Sequence, residues 1–263
     1  MRTLIASVER FSRQDGPGIR TVIFLKGCPL RCLWCHNPEC ISFEHEEFYD
    51  PEKCIGCGRC AEGCVSGARV GCGTERSVED LVREAAEDLP YYGKTGGVTL
   101  SGGEPLAHPA FAGDLLRALR KAGISCAVET SLCRYDEDLL RLCDLLMIDL
   151  KHMDPAEHLR LTGIGNRVIL ENLRRTDRLG IPIIVRTPLV AGLTDGEENI
   201  RAAVAFLKEL RNLRAYELLP YHPFGVEKAK RLGKVQPEFS APSAERIAAL
   251  RKLATEATEK SGF

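Results

Sequence analysis

Short apolar runs alternating with longer amphipathic stretches narrow the fold of this chain more than any other feature of its sequence. The runs cover residues 21–25, 98–100, 125–129, 145–150, 183–186 and 216–219, and the segments between the last five carry helical periodicity. Strand and helix in succession build a parallel sheet, and near-continuous apolar strands are expected where both faces of such a sheet are covered. Several helix ends are legible. Ser77 followed by Asp80 makes a capping pattern ahead of Leu81 and Val82, Pro109 suits a first helical turn, and Gly123 and Gly180 suit helix stops. A last amphipathic helix is predicted over residues 243–260. Six strand–helix units are too few to close an eightfold ring, so the expected class is α/β, a partial (β/α)6 TIM-like barrel.

Chemistry in such folds gathers at the carboxy ends of the strands. Polar motifs follow the apolar runs there: Ser101-Gly102-Gly103-Glu104, Glu129-Thr130, Asp149 with Lys151, Arg186, and Tyr221-His222.

The chain has 12 cysteines and a net charge of -1, with basic residues spread along it, so the broad basic footprint of a nucleic-acid binder is missing. No run approaches the roughly 18 apolar residues that cross a bilayer, and the amino-terminal stretch lacks a secretion-type apolar segment. A cytoplasmic protein with reduced thiols is expected, and thiols there serve metals more often than disulfides. Nine of the 12 cysteines lie between Cys28 and Cys72, while Cys126, Cys133 and Cys143 read as small packing residues.

Cys28, Cys32 and Cys35 have the spacing C-x3-C-x2-C. Three close thiolates with no nearby fourth suit a 4Fe-4S cluster that leaves one iron open, whereas structural zinc takes four ligands. Zinc with His36 as the fourth ligand is the competing reading. A second run, Cys54, Cys57, Cys60 and Cys64, has the C-x2-C-x2-C-x3-C spacing of bacterial ferredoxins, with Val65 where a Pro usually follows. Six thiols remain outside the first motif within this region, enough for one further four-thiolate cluster and too few for two. Its last ligand is Cys64, Cys40 or Cys72, and a zinc knuckle is the alternative. Residues 40–75, rich in Cys and Gly, are read as a ferredoxin-like insertion into a barrel formed by 1–39 and 76–263.

The first motif, following a strand, resembles the radical S-adenosylmethionine (SAM) superfamily. Asp15-Gly-Pro-Gly18-Ile-Arg20, Phe24-Leu-Lys-Gly27-Cys28 and Trp34-Cys35-His36-Asn37-Pro38 are similar to the signature of glycyl-radical-enzyme activating enzymes, over about residues 5–234. The resemblance implies that SAM chelates the open iron and is cleaved reductively to a 5′-deoxyadenosyl radical. It places Gly102, Gly103 and Glu104 at the SAM amino group, Trp34 near adenine, and Glu129, Thr130 and Asp149 at a monovalent-cation site, with Glu129 standing where pyruvate formate-lyase activases have Asp. Lys151, Arg186 and His222 are expected to contact SAM or the substrate loop. Each has a plainer alternative: a surface turn for Gly102-Gly103-Glu104, core burial for Trp34, strand-end hydrogen bonding for the cation set, a structural role for His222.

The implied substrate is a glycine in a separate glycyl-radical enzyme. Flavodoxin or ferredoxin would supply electrons anaerobically to a monomeric enzyme, and the second cluster would relay electrons or shape docking. A radical SAM enzyme acting on a small molecule and a non-catalytic iron-sulfur electron carrier are the rival readings.

Overall fold

The six apolar runs all become strands, and they form one parallel array. The computed structural model describes residues 1–60 and 63–258. In chain order its strands and helices are β1 (Arg2–Ser12), β2 (Arg20–Leu25), β3 (Glu46–Tyr49), β4 (Arg69–Cys72), β5 (Thr74–Ser77), α1 (Val78–Glu87), α2 (Leu89–Tyr92), β6 (Gly97–Gly102), α3 (Pro109–Lys121), β7 (Cys126–Thr130), α4 (Glu137–Leu140), β8 (Leu145–Asp149), α5 (Pro155–Thr162), α6 (Arg167–Asp177), β9 (Ile183–Leu189), α7 (Glu197–Leu207), β10 (Leu213–Pro220), α8 (Phe224–Arg231) and α9 (Ala244–Thr255). The main sheet runs β10-β9-β8-β7-β6-β2-β1-β5. Strands β2, β6, β7, β8, β9 and β10 are parallel, the six-unit partial barrel anticipated above.

Ser77 caps α1 through its hydroxyl, which accepts from Asp80 N at 3.1 Å, and Pro109 opens α3. The last helix stops at Thr255 instead of running on to 260, and residues 259–263 lie outside the described part.

Two expectations change. First, β1 and β5 extend the sheet: β1 lies antiparallel to β2, with Glu9 opposite Val22, and β5 pairs antiparallel with β1. Their alternating, half-exposed sequences lack the apolar density of the inner strands. Because β5 begins at Thr74, the predicted insertion rejoins the barrel slightly early. Inside it, β3 and β4 form a separate two-stranded sheet.

Second, the inner strands are apolar on their second face only in part, where Val22, Ala127 and Met147 are buried apart from the main core. Ile23, Leu100, Val128, Ile148, Val185 and Leu218 share one core with helix residues such as Leu116, Leu173, Ile200 and Leu250. The alternate positions, Ser101, Glu129, Asp149, Arg186 and Glu217, therefore turn to the helix-free side, because successive side chains on a strand point to opposite faces. Toward the strand ends that concave face is polar.

Candidate active site

The three-cysteine loop leaves the carboxy end of β2 and is fastened along its length. Gly27 N donates to Cys40 O at 2.8 Å and Cys28 N to Ile41 O at 3.0 Å. Arg31 N and Leu33 N donate to Thr162 O and Leu161 O, at 2.7 and 3.0 Å. These two acceptors are end carbonyls that α5 cannot satisfy internally, so the helix terminus and the loop complete each other on both sides of Cys32. Behind them, buried His158 bonds Ile164 O through Nδ1 at 2.6 Å, and Thr162 Oγ1 donates to His158 O at 2.8 Å. Cys35 O accepts from Gln236 Nε2 at 3.0 Å, and a Cβ on Gly225 would stand 2.0 Å from the same oxygen.

Burial dominates the electrostatics of this loop. It pushes the thiols of Cys28 and Cys32 well up and that of Cys35 up to about 12. Ionised together they would repel one another, so thiolates here call for a cationic group among them. Burial opposes the Lys151 ammonium too, but Asp149, at 2.7 Å, holds it charged, above the ordinary lysine range. Among the described residues no three His, Cys, Asp or Glu side chains converge tightly enough to grip a single ion. Three cysteines on one short loop suit, by their donor chemistry, thiolates set around an iron-sulfur cluster.

A polar network crosses the concave face. Ser101 Oγ donates to Glu129 at 2.6 Å, and Arg186, only 4% exposed, donates to Glu129 at 3.0 Å, to Glu217 at 2.9 Å and to Gln14 O at 2.8 Å. The last bond ties the loop between β1 and β2 into the barrel interior. Burial and the Asp149 charge push the Glu129 carboxyl above its usual range, against the pull of Arg186. Arg20, from the same loop's end, is 1% exposed and, among the described residues, meets no carboxylate at hydrogen-bonding distance. Its guanidinium bonds Thr99 Oγ1 at 2.7 Å, Val98 O at 2.8 Å and Thr95 O at 3.1 Å, and burial lowers it to about 10.

Several expected contacts are redistributed. The Glu104 carboxylate, predicted to accept from the SAM amino group, already accepts from Leu106 N (3.1 Å), Thr130 Oγ1 (2.6 Å), Ser131 N (2.9 Å) and Ser131 Oγ (2.6 Å). Each oxygen thus accepts two hydrogen bonds from within the chain, which fixes the carboxylate at the strand ends. The backbone of Gly103 comes close to its neighbours: a Cβ there would lie 2.3 Å from Gly27 O. The side chains of Glu129, Thr130 and Asp149 bond to Arg186, Glu104 and Lys151 respectively, and the adjacent Glu129 and Thr130 face opposite ways. Trp34 is buried beside Leu161, Val190 and Tyr221. His222 is exposed and stacks on Phe224 with centroids 4.0 Å apart, while His36 meets the same ring edge-on at 5.8 Å.

In the insertion, Cys54, Cys57, Cys60 and Cys64 line one pocket with Tyr49, Ser66 and Arg69. Cys40 and Cys72 are buried elsewhere, where the hairpin meets the barrel. Of the isolated cysteines, Cys126 and Cys143 are buried in the core, whereas Cys133 is half-buried with its sulfur 3.9 Å from Glu104. Sequence reasoning did not single out Glu217, His158 or Gln236. Single polar residues carry no periodic or spacing signal, and only strand alternation could have pointed to the first.

The description of the radical SAM superfamily matches residues 22–204. Over 262 residues the chain is 40% identical to the pyruvate formate-lyase 2-activating enzyme of Escherichia coli, covering 96% of this chain and 89% of that protein. It is 35% identical over 281 residues to the choline trimethylamine-lyase activating enzyme of Oleidesulfovibrio alaskensis, covering 92% and 91%. Among solved structures, a domain of a pyruvate-formate lyase-activating enzyme from Bacteroides vulgatus is similar with a TM-score of 0.53 at 36% identity, covering 62% of this chain and 94% of that one. The chain thus belongs to the radical SAM superfamily and, within it, to the activating enzymes of glycyl-radical enzymes.

Proposed function

We propose that this chain activates a glycyl-radical enzyme from a centre built on Cys28, Cys32 and Cys35. A 4Fe-4S cluster held there would cleave SAM reductively, supplying a 5′-deoxyadenosyl radical that takes hydrogen from a glycine of the partner. The observation carrying this reading is the locked cysteine loop at the rim of a polar, helix-free concave face, with Lys151 charged beside it.

The chain's own residues divide the remaining tasks. The backbone of Gly102 and Gly103 offers a close-approach edge for the amino acid end of SAM, and the Lys151 ammonium faces carboxylate and thiolate charge. Arg186, clamped between two acids, keeps the deep part of the face ordered so that a backbone loop of the partner meets preset groups. The exposed His222–Phe224 stack forms part of the rim.

The four thiols of the insertion suit an auxiliary 4Fe-4S cluster with Cys64 as fourth ligand, since it shares the pocket of Cys54, Cys57 and Cys60. Electron delivery from flavodoxin or ferredoxin, action as a monomer in the cytoplasm and a docking or relay role for this cluster belong to the same reading. No helix among the described residues is long and apolar enough to cross a membrane.

The test is anaerobic electron paramagnetic resonance of the reconstituted, reduced protein with SAM and a glycyl-radical enzyme. A glycine-centred doublet that disappears with Cys32→Ala is expected. Doublet formation by the Cys32→Ala variant, or no 5′-deoxyadenosine from the intact protein, would end the proposal.

A further inference from the structure

Lys26 stands two residues before the first cluster cysteine, yet its side chain is fully buried and reaches into the insertion. The ammonium donates to Glu39 O at 2.6 Å, forms an ion pair with Glu46 at 2.9 Å and lies 3.9 Å from Cys72 Sγ. Glu46 and Cys72 are direct register partners at one end of the β3–β4 hairpin. Glu39 closes the first cysteine loop in the turn Pro38–Cys40. One buried charge therefore joins three segments: the strand that launches the cluster loop, the end of that loop, and the base of the hairpin whose far end, at Tyr49 and Arg69, borders the Cys54–Cys64 pocket.

The surroundings are shaped to this side chain. Gly73, where the chain leaves the hairpin for β5, would bring a Cβ within 2.4 Å of Lys26 Cδ, so a side chain there and the lysine stem could not coexist. The Lys26 backbone is itself fixed, with its N donating to Leu4 O at 3.1 Å and its carbonyl bonded to His108 Nε2 at 2.6 Å. Elsewhere the hairpin meets the barrel through more exposed groups: Lys234 pairs with Glu46 at 2.5 Å, and Arg231 lies over the Phe48 ring at 5.2 Å. A buried ammonium held by three partners fixes one geometry, whereas exposed pairs exchange readily with water.

We propose that Lys26 is a positioning residue that sets the auxiliary cysteine site in a fixed place relative to the Cys28–Cys32–Cys35 site. This rests on the two-cluster reading above. A lysine used in this way contributes no electron and no proton. It holds two metal-binding modules in register so that spacing between them stays constant through reduction.

The test compares the intact, anaerobically reconstituted protein with Lys26→Met, which keeps the stem and removes the charge. Hydrogen exchange of the β3–β4 amides is expected to speed up about tenfold in the variant while β7 and β8 are unchanged. With both clusters reduced, the magnetic interaction between them, seen as broadening in the paramagnetic resonance spectrum, should scatter or vanish at unchanged iron and sulfide content. Adding Glu46→Leu to Lys26→Met removes the carboxylate that has lost its buried partner and keeps only Lys234, and should restore exchange protection without restoring the parental interaction. Parental exchange and broadening in Lys26→Met would overturn the proposal, and so would loss of iron from the first site with the hairpin unaffected. If the parent holds only one cluster, the two-cluster reading fails instead, and the exchange data still judge the clamp.

Discussion

Arg186 on β9 and Glu129 on β7 meet at 3.0 Å across the concave face, although β8 runs between their strands. Asp149, the register neighbour of Arg186 on β8, turns to Lys151 instead. Two separate ion pairs thus share three strand ends.

Arg186→Met should leave Glu129 and Glu217 facing each other without their shared donor. Removing one member of a buried, hydrogen-bonded ion pair costs about 3 kcal/mol. Urea unfolding should show that loss, and Arg186→Lys should recover only part of it, since one ammonium cannot replace three directed N–H groups. Equal stability of Arg186→Met and the parent would contradict the clamp.

Glu129 carries a pH signature. Its folded carboxyl is raised, chiefly by burial and then by Asp149. The folded protein therefore holds this proton more tightly than the unfolded chain. Stability from this group is complete below the unfolded carboxylate range and is lost as pH rises through the folded value. Relative to Glu129→Gln, the parent should lose stability across that window. A parent curve that rises against the variant would reverse the assignment.

Gly225→Ala places a methyl group 2.0 Å from Cys35 O, where Gln236 also bonds. The conflict is backbone against Cβ, so either α8 or the cysteine loop must move. Iron bound at the first site after reconstitution should drop severalfold while the auxiliary site fills normally. Full loading of both sites would show that the loop tolerates the displacement.

Cys64 is set apart chemically. The Ser66 hydroxyl, 3.4 Å from its sulfur, and nearby backbone groups lower its thiol to about 7. In metal-free protein, alkylation of Cys64 should show a midpoint near that value, and Ser66→Ala should shift it upward toward the ordinary thiol range. Cys64→Ala should abolish the auxiliary cluster, whereas Cys40→Ser and Cys72→Ala should keep it. Retention after Cys64→Ala would return the fourth-ligand role to one of the buried pair.

The site was legible in proportion to how local each part is. Cys28, Cys32 and Cys35 announce themselves by spacing, as do Cys54, Cys57, Cys60 and Cys64, because ligands on one short loop need only a few residues to converge. Glu104 was found, but not its partners within the chain. Its partners Thr130 and Ser131 arrive from the next strand, and no linear pattern records that their donors reach both of its oxygens. Lys26 reads as an ordinary cation until the hairpin folds back over it.

By itself the sequence determined the six parallel strands, the capped helix after Ser77 and the two cysteine sets, since hydrophobic period, capping and ligand spacing act over a few bonds. Only tertiary structure decided which strand face is polar, that Glu129 pairs with Arg186 across an intervening strand, and that Cys40 and Cys72 belong to the junction and not to the pocket of Cys64. Those outcomes depend on the curvature of the sheet and on burial, which arise when segments far apart in the chain exclude water together.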